Sequence, residues 1–287
     1  MINLSKRRQF KGVVGHPDHG FGYVPDPQGH RYLGFQHHPA AQSMVAALPR
    51  YTNNVAFAPP AWNQGQTSSC FGHGTAGLVT TTFAARGRSL SSPVSPRIVY
   101  QMAREINRLA PQQPLADGGA QPCGGVLALG LWGCVLEEEV DGGRTADSPD
   151  YVDYLQAHVC DGSKLGELET ARKRILVGFN AVADNDPAKI VQYQLALASG
   201  HAVGAGVDAG NETFQSYTGG GVLDYCGDEP DHWIFILDYR ITDQGECQFL
   251  LQNSWGRLLW TPDGRAWVTE DFVRRGCFNS LVANMGV

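Results

Sequence analysis

The chain has 287 residues, 43% hydrophobic and 10% aromatic, an ordinary globular composition that can fill the core of one large domain or two smaller ones. Its 22 basic and 28 acidic residues give a formal charge of -6, and the basic residues cluster only at Lys6-Arg7-Arg8, which argues against a nucleic-acid partner. No apolar run approaches the roughly 18 residues of a membrane span, and Met1-Ile2-Asn3-Leu4-Ser5 ahead of the basic cluster lacks the apolar core of a secretory signal; the expectation is a cytoplasmic protein or one incorporated in a larger particle.

Residues 1 to about 47 are rich in Gly, Pro and His (Gly15-His16-Pro17-Asp18-His19-Gly20, Pro25-Asp26-Pro27, His37-His38-Pro39) and show no helical or strand period. They are expected to form an irregular N-terminal arm, one that could contact an assembly partner. Five of the nine histidines fall in it, but Gly/Pro segments rarely fix ligand geometry, so no metal site is expected. Next comes Gln64-Gly-Gln-Thr-Ser-Ser-Cys-Phe-Gly-His-Gly-Thr-Ala-Gly77. Pro59, Pro60 and the polar run Asn63 to Ser69 cannot be helix interior, whereas Phe71, Leu78, Val79 and Phe83 recur at helical spacing. Cys70 therefore falls at a helix N-terminus, where unpaired N–H groups favour thiolate over thiol. A reactive thiol and a buried structural cysteine are both open from this stretch alone.

Ser95-Pro96 supplies an N-cap and a first-turn proline for a helix whose Ile98, Val99, Met102, Ala103 and Ile106 share one face, ending near Arg108. A loop over Pro111–Gly119 leads to a shorter helix ending near Gly133. Glu137-Glu138-Glu139 has no partner in sequence and is expected to be a solvated turn. A helix is expected around Leu165–Arg174, and another from the Asp186-Pro187 cap to Gly200. Strands are expected at 202–208, 220–225, 232–240, 247–254 and 265–269. Helices first and strands later imply an α+β protein of two packed lobes.

Two polar elements interrupt the apolar strands: Asp231-His232 opens Trp233-Ile234-Phe235-Ile236-Leu237, and Asn253-Ser254-Trp255-Gly256 closes Phe249-Leu250-Leu251-Gln252. Cysteine, then histidine, then asparagine is the chain order of a Cys-His-Asn triad. With Gln64 six residues before Cys70, and Val-Asp-Ala-Gly-Asn-Glu-Thr-Phe-Gln-Ser-Tyr-Thr-Gly-Gly-Gly inside Val203–Tyr225, the sequence resembles the papain-like cysteine peptidases over roughly residues 48–287. Four ordered motifs carry that resemblance.

The resemblance implies a papain-like fold with a helical lobe over about 64–150, a β-rich lobe over about 151–287 and a cleft between them that takes a peptide or protein substrate. It implies Cys70 as nucleophile, His232 as proton carrier, Asn253 as its orienting partner, Trp255 as a shield over that pair and Gln64 as an oxyanion donor. Gly118-Gly119 would line the cleft, with Gly124-Gly125 as a competing assignment, and Val203 and Trp233 would contribute to substrate binding. It implies no cofactor and no metal. His73, three residues after Cys70, and His201 have no motif support as alternative bases.

Several positions depart from the family pattern. Thr67 stands where a bridging cysteine is usual, Phe71 where tryptophan is usual, and Trp233 where a small residue follows the histidine. An indole that points into the second specificity pocket would leave room only for glycine or alanine there; the alternative, which strand alternation supports, is that Trp233 turns away into the core beneath the strand. Of the seven cysteines, Cys226 and Cys277 match a family disulfide. Segment 1–47 lacks the length and helices of the family's inhibitory prosegment; it is expected either to cover the cleft or to pack on the β-rich lobe. The rival reading is a non-enzymatic structural or binding component of an assembly, such as a viral particle, that retains this fold.

Overall fold

The computed structural model describes Tyr23 and residues 48–106, 117–140, 144, 146, 148–159, 175–257 and 259–285. The rest of segment 1–47 and the helix expected at Leu165–Arg174 lie outside the described residues.

Helix α1 (Cys70–Ala85) is the central element of the helical layer, with Phe71, Ala76, Leu78, Val79 and Phe83 each at most 2% exposed. Its glycines would each weaken an isolated helix by about 1 kcal/mol, but here they allow close approach. A Cβ on Gly74 would stand 2.6 Å from the Trp233 indole, and one on Gly77 2.6 Å from the Phe235 ring. Helix α2 (Pro96–Glu105) starts as the sequence predicts: Ser95 Oγ accepts from the Ile98 N–H at 3.3 Å, and Pro96 occupies the first turn. Helix α3 (Pro122–Leu131), the short α4 (Glu137–Val140) and α5 (Tyr151–His158) follow.

Beyond them lie β1 (Val177–Val182), α6 (Lys189–Ala198), β2 (Val203–Val207), the short α7 (Glu212–Gln215), β3 (His232–Ile241), β4 (Cys247–Gln252), β5 (Arg265–Thr269), α8 (Glu270–Gly276) and β6 (Phe278–Met285). The strands form one sheet in the order β1-β6-β2-β3-β4-β5, every neighbouring pair antiparallel. Side chains alternate across it. Trp233, Phe235 and Leu237 join the core shared with α1, α2, α3 and α5, whereas Ile234 and Ile236 face a second core with Val203, Ala205, Val207, Phe249 and Leu251. The architecture is α+β.

Four expectations are corrected. Residues 220–225 form no strand; Leu223 makes only an isolated bridge to Val268. Strands β1 and β6 have no counterpart among the expected strands, because neither carries a run that separates apolar from polar positions. Tyr151 and Leu155 of α5 pack into the core of the helical layer rather than heading the β-rich one. Glu137 is fully buried rather than solvated, its carboxylate accepting from the Ala146 N–H at 2.8 Å.

Candidate active site

Cys70 is the first residue of α1 and has no exposed surface. No acidic residue occupies the first turn, and Ser69 makes no side-chain cap, so the positive end of the helix is not neutralised from within the helix. The loop before α1 is fixed by bonds to residues far along the chain. Gln64 N–H donates to Ser254 O at 2.9 Å, and Ser254 Oγ donates to Gln64 Oε1 at 2.6 Å. Gln64 Nε2 donates to Thr67 O and Thr67 Oγ1 returns a bond to Gln64 O, both at 2.8 Å. On the same loop, Asn63 pairs with Trp255 and Gly256 N–H donates to Trp62 O. The start of α1 and the end of β4 are thereby one unit.

His232 opens β3 and is fully buried. Its Nε2 lies 2.7 Å from Asn253 Oδ1. The same Oδ1 accepts from the Ser254 N–H at 2.7 Å, and a backbone donor requires an oxygen there. Nε2 is therefore the donor, and Nδ1 is the basic nitrogen of the neutral ring. Trp255 covers the pair, its ring 4.9 Å from the imidazole. Phe71 and Trp233, which directly follow Cys70 and His232, touch with ring centroids 5.2 Å apart, so α1 and β3 meet beside those two residues.

Gly119 has φ +85, a conformation open to glycine. Its N–H donates to the Tyr100 hydroxyl, which donates to Asp117 Oδ1 at 2.7 Å, and Asp117 also accepts from the Ser68 N–H. The pair Gly118-Gly119 is thus tied to the loop that carries Cys70, and a Cβ on Gly118 would meet nothing within 4 Å. Gly125, by contrast, lies inside α3, where a Cβ would stand 2.1 Å from the Phe71 ring. The Asp117–Tyr100 link and Ser254 were given no role from sequence, although Ser254 lies within a motif that pointed to the site.

Two substrate-binding expectations need correction. Val203 faces the second core, because strand alternation turns it to the opposite side of the sheet from Trp233; the glycines Gly204 and Gly206 face Trp233 and Tyr23 instead. Trp233 is 1% exposed and seated between Gly74 and Gly204, and the Tyr23 ring stacks on it at 5.5 Å. A tyrosine, rather than only glycine or alanine, fits beside this indole, because Gly206 contributes no side chain.

The other titratable groups contrast with this arrangement. His73 is buried, its Nδ1 bonded to Ser69 O at 3.0 Å, and burial pushes its pKa down to about 4. His201 donates to Ala283 O at 2.8 Å, and burial lowers its pKa. Burial also pushes the thiols of Cys134, Cys226 and Cys247 up to about 12 and Cys277 to about 11, keeping them protonated at neutral pH. Cys226 and Cys277 are free thiols rather than a disulfide. Asp231, just before His232, is pushed up to about 6, chiefly by burial. Among the described residues no group of three or more His, Cys, Asp or Glu could hold a metal ion, and no helix is long and apolar enough to cross a membrane.

Comparison with known proteins bears on both lobes. The chain is 29% identical over 157 residues to the rice (Oryza sativa subsp. indica) senescence-specific cysteine protease SAG39, covering 53% of this chain and 42% of that protein. It is 26% identical over 194 residues to vignain of Vigna mungo, covering 68% of this chain and 46% of vignain. The match thus spans less than half the length of either relative. In structure the chain resembles xylellain, a cysteine protease from Xylella fastidiosa, with TM-score 0.67 and 20% identity over 96% of this chain and all of that one. It also resembles the bromelain protease from Ananas comosus solved with the E64 inhibitor, with TM-score 0.61 and 17% identity over 83% of this chain and all of that one. Both likenesses place the fold among papain-like structures. A family profile, papain family cysteine protease, runs over residues 50–274, from ahead of α1 into α8; because that match takes in Cys70, His232 and Asn253 on one continuous stretch, the chain belongs to the papain family of cysteine proteases.

Proposed function

We propose that the chain is a thiol endopeptidase that hydrolyses peptide bonds through Cys70, His232 and Asn253. The observation that carries this reading is the 2.7 Å bond from His232 Nε2 to Asn253 Oδ1. With Nε2 committed as donor, Nδ1 is the atom that takes the proton from the Cys70 thiol. The thiolate sulfur then attacks the carbonyl carbon of the substrate, the C=O pair moves to oxygen, and the Cys70 N–H and Gln64 Nε2 stabilise that oxyanion. Collapse breaks the C–N bond as His232 gives its proton to the leaving amine, which departs and leaves a thioester on Cys70. Water, deprotonated by His232, attacks the thioester and releases the acid, and the proton returns to the sulfur.

Asn253 holds the imidazole in the required tautomer, and Trp255 keeps water from the bond between them. Gln64, clamped by Ser254 and Thr67, is preorganised rather than mobile. The test is labelling of the folded protein with the E64 inhibitor followed by mass-spectrometric site assignment. A single adduct on Cys70, lost in Cys70→Ala together with peptide hydrolysis, is expected. No adduct and no hydrolysis would favour the rival, a non-enzymatic component retaining this fold.

A further inference from the structure

The loop that leads into α1 is held from two sides. Gln64 is bonded to Ser254, next to Asn253. Ser68, nearer to Cys70, is bonded to Asp117: its N–H donates to both carboxylate oxygens at 3.0 Å, and its Oγ donates to Asp117 O at 3.2 Å. The first set of bonds ties the nucleophile's loop to the wall that carries His232 and Asn253. The second ties it to Gly118-Gly119, because Asp117 directly precedes that pair.

Tyr100 completes the second set from α2. It has no exposed surface, and its place is fixed by packing: a Cβ on Gly72 of α1 would stand 2.7 Å from Tyr100 Cβ, and the Arg104 guanidinium lies 4.0 Å from the centre of its ring. Burial pushes the pKa of the hydroxyl up, so it keeps its proton. That proton goes to Asp117 Oδ1 at 2.7 Å, which leaves the hydroxyl oxygen to accept from the Gly119 N–H at 3.0 Å. The bonds therefore converge on one carboxylate: Gly119 N–H to Tyr100, Tyr100 O–H to Asp117, and Ser68 N–H to Asp117. Bonds that end on a charge are shorter and stronger than neutral ones, and linked bonds polarise one another.

The two ends of this chain are main-chain groups on either side of the reaction. One belongs to the loop that sets the Cys70 sulfur, the other to the glycine pair that lines the cleft. We propose that Asp117 and Tyr100 are positioning residues for peptide hydrolysis, fixing the register between the cleft edge at Gly118-Gly119, which holds the substrate main chain, and the sulfur that attacks it. This rests on the peptidase reading above. Neither side chain touches the reacting atoms; each acts through Ser68 and Gly119.

The experiment uses the full chain. For each variant it measures kcat/KM on a pool of blocked fluorogenic pentapeptides, the rate at which iodoacetamide alkylates Cys70, read by mass spectrometry, and the urea midpoint. Iodoacetamide needs the thiolate but no cleft edge. Asp117→Ala and Tyr100→Phe are each expected to lower kcat/KM by about 10–100-fold, the scale of misplacing reactants by about 1 Å, while Cys70 alkylation changes by less than about twofold. The double variant should fall no further than the worse single one, because both break the same chain of bonds. Asp117→Asn, whose Oδ1 can still accept from Ser68 and Tyr100, should restore most of the rate. Tyr100→Phe keeps the ring packing and carries the test if Asp117→Ala impairs folding. Unchanged hydrolysis, additive losses, or hydrolysis and alkylation falling together with the urea midpoint would each overturn the positioning role. If the unsubstituted chain is alkylated at Cys70 but hydrolyses nothing, the peptidase reading fails, and calorimetric binding of the same peptides to Cys70→Ala with and without Tyr100→Phe decides the rest: weaker binding with Tyr100→Phe leaves the fixed cleft edge standing, and equal or absent binding overturns it.

Discussion

Replacing Trp233 by alanine separates two roles for one indole. Burying tryptophan removes a large apolar surface from water, and truncating a buried Trp to Ala typically costs about 3–5 kcal/mol, depending on how far the site collapses. At Trp233 collapse is limited. The indole packs against Gly74 on α1 and Gly204 on β2, whose backbones are held by helix and sheet bonds and which have no side chains to swing inward. The Phe71 and Tyr23 rings on its other sides would each have to leave their own contacts to fill the gap. The expected loss therefore lies in the upper half of that range. With a urea slope of about 3 kcal/mol/M, the unfolding midpoint should fall by roughly 1–2 M at unchanged slope. The assay is urea unfolding followed by circular dichroism. A fall below about 1 kcal/mol, together with a gain in kcat/KM for bulky substrates, would refute this account and restore the idea of an indole that merely blocks a pocket.

Gly125→Ala should destabilise despite the better helix propensity of alanine: the propensity gain is about 1 kcal/mol, whereas a Cβ placed 2.1 Å from the Phe71 ring overpacks a closed core at about 1–3 kcal/mol. Thermal unfolding and the rate of E64 labelling would both register the shift, and a neutral variant would contradict the packing. His232→Ala should lower kcat/KM by about 10²–10⁴ through loss of proton transfer, and Asn253→Ala by less, since it orients the ring; the opposite ranking would mean their roles are exchanged. Asp231, pushed from 3.8 up to about 6 mainly by burial, binds its proton more tightly folded than unfolded. Its contribution to stability is thus complete below about pH 4 and is lost as pH rises to about 6. Asp231→Asn should remove that part of the pH dependence between 4 and 6, and an unchanged unfolding profile would exclude Asp231 as its source.

Local chemistry wrote much of this molecule into adjacent residues. A serine followed by proline starts α2 at Ser95-Pro96, polar residues ahead of a 3.6-residue period start α1 at Cys70, and apolar runs bounded by turn residues give β3 and β4. Each signal spans a few neighbours, so it is legible without knowing what packs where. The order Cys70, His232, Asn253 likewise named candidate site residues and a family. What the sequence could not contain locally is which face, register and partner each residue acquires. Val203 and Gly204 lie on one short strand, yet only alternation against β3 and β6 turns the glycine toward Trp233. Glu137 looked solvated until Ala146 and the surrounding core enclosed it. Tyr23, in a segment with no periodicity, finds the Asn279 side chain 256 positions away. Gln64 and Ser254 join across 190 positions. Contacts at such separations depend on the closure of the whole chain, and only the tertiary structure decides them, because the free energy that fixes them belongs to the packed sheet and helices rather than to any stretch of sequence.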